Sequence, residues 1–193
     1  MFGKSKLPHY VRDLSDKKPL AATRAGYGSF TVWIAAWANE LGIFPCADAS
    51  TGVQPAGTPL DVESGDSGEV KRFDWSEFSF GSWDLDDLKL MLNFVDPSRE
   101  PLAFTLFSDF SEQLVTMVRE RVDRSVVYQQ FVELPSGTNA RGQVRRNRDE
   151  ELFTEVVVDG DLTQEDLGVL DNLESELRDA VGLPQKSEGF RFA

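Results

Sequence analysis

The chain has 193 residues, of which 40% are hydrophobic and 11% aromatic, so it can bury a core and is too apolar for an intrinsically disordered chain. Its formal net charge of −13 sets the summed field against nucleic-acid phosphates and anionic membrane surfaces. One cysteine, Cys46, and one histidine, His9, exclude an intrachain disulfide and zinc sites of the Cys/His type, leaving only carboxylates for metals.

Residues 1–28 are polar and punctuated by Pro8, Pro19, Gly26 and Gly28, which reads as an extended N-terminal arm with few buried positions. No apolar leader follows Met1, so the expected location is the cytoplasm or an intracellularly assembled virion, without secretion by a signal peptide. Ser29 then caps a predicted aromatic helix over 30–41, in which Phe30, Trp33, Ile34, Trp37 and Leu41 recur at helical spacing and Gly42 and Pro45 supply the stop. Cys46, with no basic neighbour to lower its thiol pKa, reads as packed, not reactive.

From 47 to 70 the residues are Gly, Ser, Thr, Pro and acids without apolar periodicity, a long loop. Its Asp61, Glu63, Asp66 and Glu69 could gather around a cation, but their spacing defines no coordination geometry; they are candidate partner contacts. The aromatic run Phe73, Trp75, Phe78 and Phe80 predicts a strand over 72–80, bulged where the alternation changes phase. Trp83 to Val95 fits two periods: Asp84 with Asp87 could cap a helix, whereas Leu88, Leu90, Leu92 and Phe94 alternate as a strand. The helix is the expectation for the first half.

Leu102, Phe104 and Leu106 predict a strand over 102–107, and Asp109 with Glu112 a capping pair for a short helix through Leu114, Val115 and Val118. Strands at 126–134 and 151–158 are expected to pair as one long-looped hairpin. Between them Arg141, Arg145, Arg146 and Arg148 form the one local charge inversion, at the expected hairpin tip, where they would clasp phosphates or, more in keeping with the chain's charge, acidic protein. The last element is a helix over 164–181, capped by Thr163 with Asp166. It carries a stripe of Leu167, Leu170, Leu173, Leu177 and Val181, a Glu174/Arg178 pair and a stop at Gly182 and Pro184.

No chemistry-bearing motif emerges. His9 sits in a Pro-flanked polar segment, there is no G-x-S-x-G elbow, and the glycines form neither a dinucleotide nor a phosphate-loop pattern. The stretch 158–166 imitates half an EF-hand loop, but Val157 falls where the third ligand belongs and Asp166 where a bidentate Glu belongs; a turn and a helix cap explain it.

The expected fold is α+β: an antiparallel sheet or sandwich in a single domain over 29–183, packed by the aromatic and C-terminal helices, with a tail at 184–193. The expected function is that of a non-enzymatic structural or assembly protein without cofactor, oligomerising through arm, loop and hairpin, with a viral or phage tail-tube or connector subunit as its sharpest form. An acidic immunity or inhibitor protein that binds a basic partner is the alternative, and a carboxylate-metal enzyme ranks below both. Neither a membrane nor a specific nucleic acid is expected as a partner.

Overall fold

The computed structural model describes residues 8–12, 18–46, 70–107, 110 and 112–185. The chain divides into two compact units, 1–123 and 124–193. Residues 47–69 of the expected loop, with its acids Asp61, Glu63, Asp66 and Glu69, lie outside the described residues, as do Asp109 and the end of the expected tail.

The first unit is a seven-stranded antiparallel sheet. Its strands are β1 (Ala21–Tyr27), β2 (Phe30–Ala36), β3 (Glu40–Pro45), β4 (Lys71–Asp74), β5 (Phe78–Asp84), β6 (Lys89–Phe94) and β7 (Leu102–Leu106), in the order β4-β3-β2-β1-β7-β6-β5. The two outermost strands, β4 and β5, are consecutive in the chain and joined by a 3-10 turn at Trp75–Glu77, so the sheet curls back on itself at that corner. Phe73 and Phe94 both pack on Phe78, at ring separations of 5.7 and 5.0 Å. Arg99 lies over the Phe94 ring at 3.6 Å and donates to Glu77.

The phase change read as a bulge in 72–80 is this 3-10 turn. Asp74 accepts from the Ser76 amide at 2.9 Å, and Glu77 accepts from the Asp74 amide at 2.8 Å, a reciprocal cap that ends β4 and starts β5. The core gathers Ile34, Leu41, Phe78, Leu90, Leu92, Phe104 and Leu106, and helix α2 (Glu112–Ser125) adds Leu114, Val118 and Val122. That helix is longer than the expected short one and runs through the boundary between the units.

The expected aromatic helix over 30–41 is a hairpin of β2 and β3. Both strands are buried on two sides: Ile34, Leu41 and Ile43 join the main core, while Trp33, Ala35, Trp37 and Phe44 form a second cluster with Val11 of the short helix α1 (His9–Arg12). A strand buried on both faces loses its alternation and becomes a continuous apolar run, from which a helical spacing can be picked out by chance. Gly42, read as a helix stop, is interior to β3. A Cβ there would stand 2.6 Å from the Phe44 ring, so its small size answers to ring packing.

Two further expectations are corrected in this unit. Residues 21–27, read as part of an arm, are β1, paired with β2 on one side and β7 on the other; the Ala, Thr and Gly that fill it carry little hydrophobic signal. The first half of Trp83–Val95 is the β5–β6 hairpin, not a helix. Asp84 accepts from the Asp86 and Asp87 amides at 2.9 and 3.1 Å, so the predicted capping chemistry is present but serves a turn.

The second unit is a three-stranded antiparallel sheet, ordered β10-β9-β8, with helix α3 (Asp166–Val181) packed on one face. Its strands are β8 (Val126–Glu133), β9 (Asn139–Arg146) and β10 (Leu152–Val158). The expected pairing of 126–134 with 151–158 does not form, because β9 lies between them and pairs with both. No long-looped hairpin results.

Candidate interaction surface

The face of the second unit that α3 covers is settled by packing. Leu170, Leu173 and Leu177 lie against Ala140, Val144 and Leu134, with Val156 and Val158 at the margin. Each fully buried leucine of this kind contributes about 1.5–3 kcal/mol. Val169 joins this cluster, whereas Leu167 of the predicted stripe stands outside it. Gly142 makes the close approach possible: a Cβ there would lie 2.6 Å from Leu177 and 3.0 Å from Leu173.

Polar links hold the helix in place. Gln130 donates to Glu176 at 2.9 Å, Thr154 donates to Glu174 at 2.8 Å, and Arg178 completes the predicted pair with Glu174 at 3.3 Å. Asp166 ties three elements together, accepting from the amide and hydroxyl of Thr163 and from the amide of Ser136 in the β8–β9 turn. Burial pushes its carboxyl pKa up, but the bonds from Thr163 and Ser136 together outweigh this and hold it at about 2. Those carboxylate oxygens are taken by loop donors, which accounts for the stretch that imitates an EF-hand. Among the described residues no three His, Cys, Asp or Glu side chains stand together as metal ligands.

Strand alternation sends the next set of side chains to the opposite face. Three rows cross it in register. Phe131, Arg141 and Val157 form one; Gln129, Gln143 and Glu155 the second; Val126, Arg145 and Phe153 the third. Arg141 and Arg145 each therefore lie between an apolar residue of β8 and one of β10, and the polar row separates them.

Burial is graded along β9. Arg145 is fully buried, donating to Ser125 at 2.7 Å and to Gln143 at 3.3 Å, with Glu155 at 4.0 Å. Gln143 is also buried and donates to Gln129 at 3.3 Å. Arg141 is partly exposed, and its neighbour Phe131 is 68% exposed.

The four arginines read as a hairpin tip are thus distributed differently. Arg141 and Arg145 are side chains of the central strand; Arg146 ends that strand and pairs with Glu150 at 3.2 Å; Arg148 lies in the turn before β10. Their clustering arises because β9 alternates Arg141, Gln143 and Arg145 on one face, a period-2 polar pattern hidden by the Gly and Val of the other face. The strand expected over 126–134 is β8, but its position at the edge of the sheet was not legible from its residues. Of the eight large exposed hydrophobic residues among the described ones, Val127, Tyr128 and Phe131 lie on this single edge strand.

No protein-family model matches the chain, and no curated protein or solved structure matches it. Among the described residues no helix is long and apolar enough to cross a membrane.

Proposed function

We propose that this chain is a non-enzymatic structural protein that assembles with further copies of itself, as a subunit of a viral or phage particle of the tail-tube or connector type would. The observation that carries the reading is β8. An edge strand presents unpaired backbone N–H and C=O groups, and sheet proteins guard such edges with lysine, proline, β-bulges or brevity; β8 has an irregularity at its start, between Val126 and Tyr128, and is regular from there to Glu133. β8 is eight residues long, contains no Lys, Arg or Pro, has Glu133 as its sole charge and carries the concentration of exposed apolar side chains described above. A surface of this kind favours association over isolation.

The charge is compatible with that role. A net charge of −13 keeps an assembled wall from trapping nucleic acid that passes along it. Asp61, Glu63, Asp66 and Glu69, together with the exposed Arg148, remain proposed contacts to neighbouring copies. Light scattering of the purified chain over a hundredfold concentration range tests the reading: it predicts a mass that rises above one chain, and a constant monomer mass would remove it.

One observation favours a second reading. The same acidic balance suits an inhibitor of a basic protein, bound by charge complementarity. That reading predicts a monomer whose affinity for a basic partner falls steeply with salt.

A further inference from the structure

Given the assembly reading, on which this inference rests, the remaining matter is which surface two copies share. We infer that β8 pairs antiparallel with β8 of a second copy about a two-fold axis through Gln129, fusing two three-stranded sheets into one of six strands.

Three features of the strand select this arrangement. In an antiparallel pair, directly opposed side chains lie on the same face of the sheet, so a two-fold register must be centred on a residue. Centred on Gln129, it sets Phe131 of each copy opposite Val127 of the other, the residue at which the pairing of β8 with β9 shifts by one, and Gln129 opposite itself. The side chains that are 68% and 40% exposed in one chain then cover each other twice. Centred on Gln130, it would set Val127 against Glu133. Centred on Phe131, it would leave Val127 beyond the paired segment.

The second feature is charge. An isologous interface brings identical surfaces together, so any like charge near its axis is doubled into repulsion. On a chain of net charge −13, β8 itself brings only Glu133 at its far end, and the carboxylate beside the axis, Glu176 of α3, is engaged by the Gln130 amide. In the Gln129 register no carboxylate of β8 faces a carboxylate of the partner's β8. The strand backbones can therefore meet without opposed carboxylates, and among the described residues Glu176 is the one acid that the two-fold brings near its own copy.

The third is the unused edge. Among the described residues β8 is hydrogen-bonded to β9 on one side only, while α3 holds the sheet from behind through Gln130 and Glu176, so a second strand meets a braced template. The neighbouring row, with Gln143 donating to Gln129, orients the amide at the axis.

Cysteine cross-linking in a Cys46→Ser background reads the register directly. Gln129→Cys is expected to give a covalent dimer under mild oxidation. Val127→Cys and Phe131→Cys should each remain uncrosslinked alone and form a mixed dimer when combined, because each self-pair is separated by about 13 Å, four residues of strand. Self-cross-linking of Phe131→Cys without that of Gln129→Cys would overturn the register. If wild type self-associates by light scattering but none of these cysteines cross-links, the β8 interface is wrong while the assembly reading stands. If wild type is a monomer throughout, both fall.

Discussion

Phe131 of β8 stands directly opposite Arg141 of β9, and the ring is 68% exposed beside a guanidinium that is only partly so. One row further along β9 the corresponding residue, Gln143, is buried, and beyond it Arg145 is buried completely. The sheet face opposite α3 therefore runs from a sealed polar end to an open aromatic one. Stability and association are expected to separate along that direction, with substitutions at the sealed end affecting folding and those at the open end affecting self-association.

At the sealed end, Arg145→Ala should destabilise the chain by about 3–5 kcal/mol, because it strands buried partners that had a charge-assisted donor. Arg145→Met, which retains most of the side-chain volume without the charge, should cost less. Urea unfolding of both variants measures this, and a loss for Arg145→Ala within error of zero would contradict the burial.

Under the helix, Gly142→Ala should cost about 1–3 kcal/mol by forcing the β9–α3 contact apart. Leu177, fully buried, supplies the nearest atom. Combined with Leu177→Ala, the added methyl should be tolerated better than in the wild-type background, so the double-mutant cycle is expected to be non-additive.

In the first unit, Trp37 is buried edge-on against Phe44 at 5.9 Å, and its carbonyl accepts from the Trp75 indole at 3.1 Å. Trp37→Ala should lower stability by about 3–5 kcal/mol in chemical denaturation, the range for emptying a large aromatic site.

Asp166 gives a pH dependence of definite sign. Its carboxyl is held at about 2 in the folded chain against an ordinary value of 3.8, so its contribution is complete above 3.8 and disappears as the pH falls towards 2. Asp166→Asn should flatten the stability–pH curve across that window and leave its neutral-pH slope unchanged. An identical acid limb in wild type and variant would show that the Thr163 and Ser136 bonds do not depress the carboxyl.

These residues also mark how far the sequence could be read. The C-terminal helix was legible because α3 is amphipathic and its signals are local: Glu174 with Arg178, and Gly182, which takes the left-handed φ of 71° at the helix end; the expected Thr163 cap is corrected, since the helix starts at Asp166 after Glu165 and Thr163 instead donates to the Asp166 carboxylate. β7, whose burial alternates along the strand, was legible as well. The β2–β3 hairpin was not, since burial on both faces erased the period-2 pattern that distinguishes a strand. Nor was β9, whose Gly142 and Arg145 look like loop residues until Leu177 and Ser125 are brought to them from distant parts of the chain. Of the candidate contacts, Arg141, Arg145, Arg146 and Arg148 could be picked out by charge, but exposure decides what each does. The apolar residues Val127, Tyr128 and Phe131 resemble any strand core until the position of β8 at the end of the strand order is known.

Sedimentation velocity of wild type beside Phe131→Glu tests self-association through the β8 edge. Wild type is expected to sediment as a species larger than one chain, and Phe131→Glu, with an unchanged circular dichroism spectrum, to shift to the monomer at the same concentration. Equal sedimentation of the two proteins, whether both assembled or both monomeric, would contradict it.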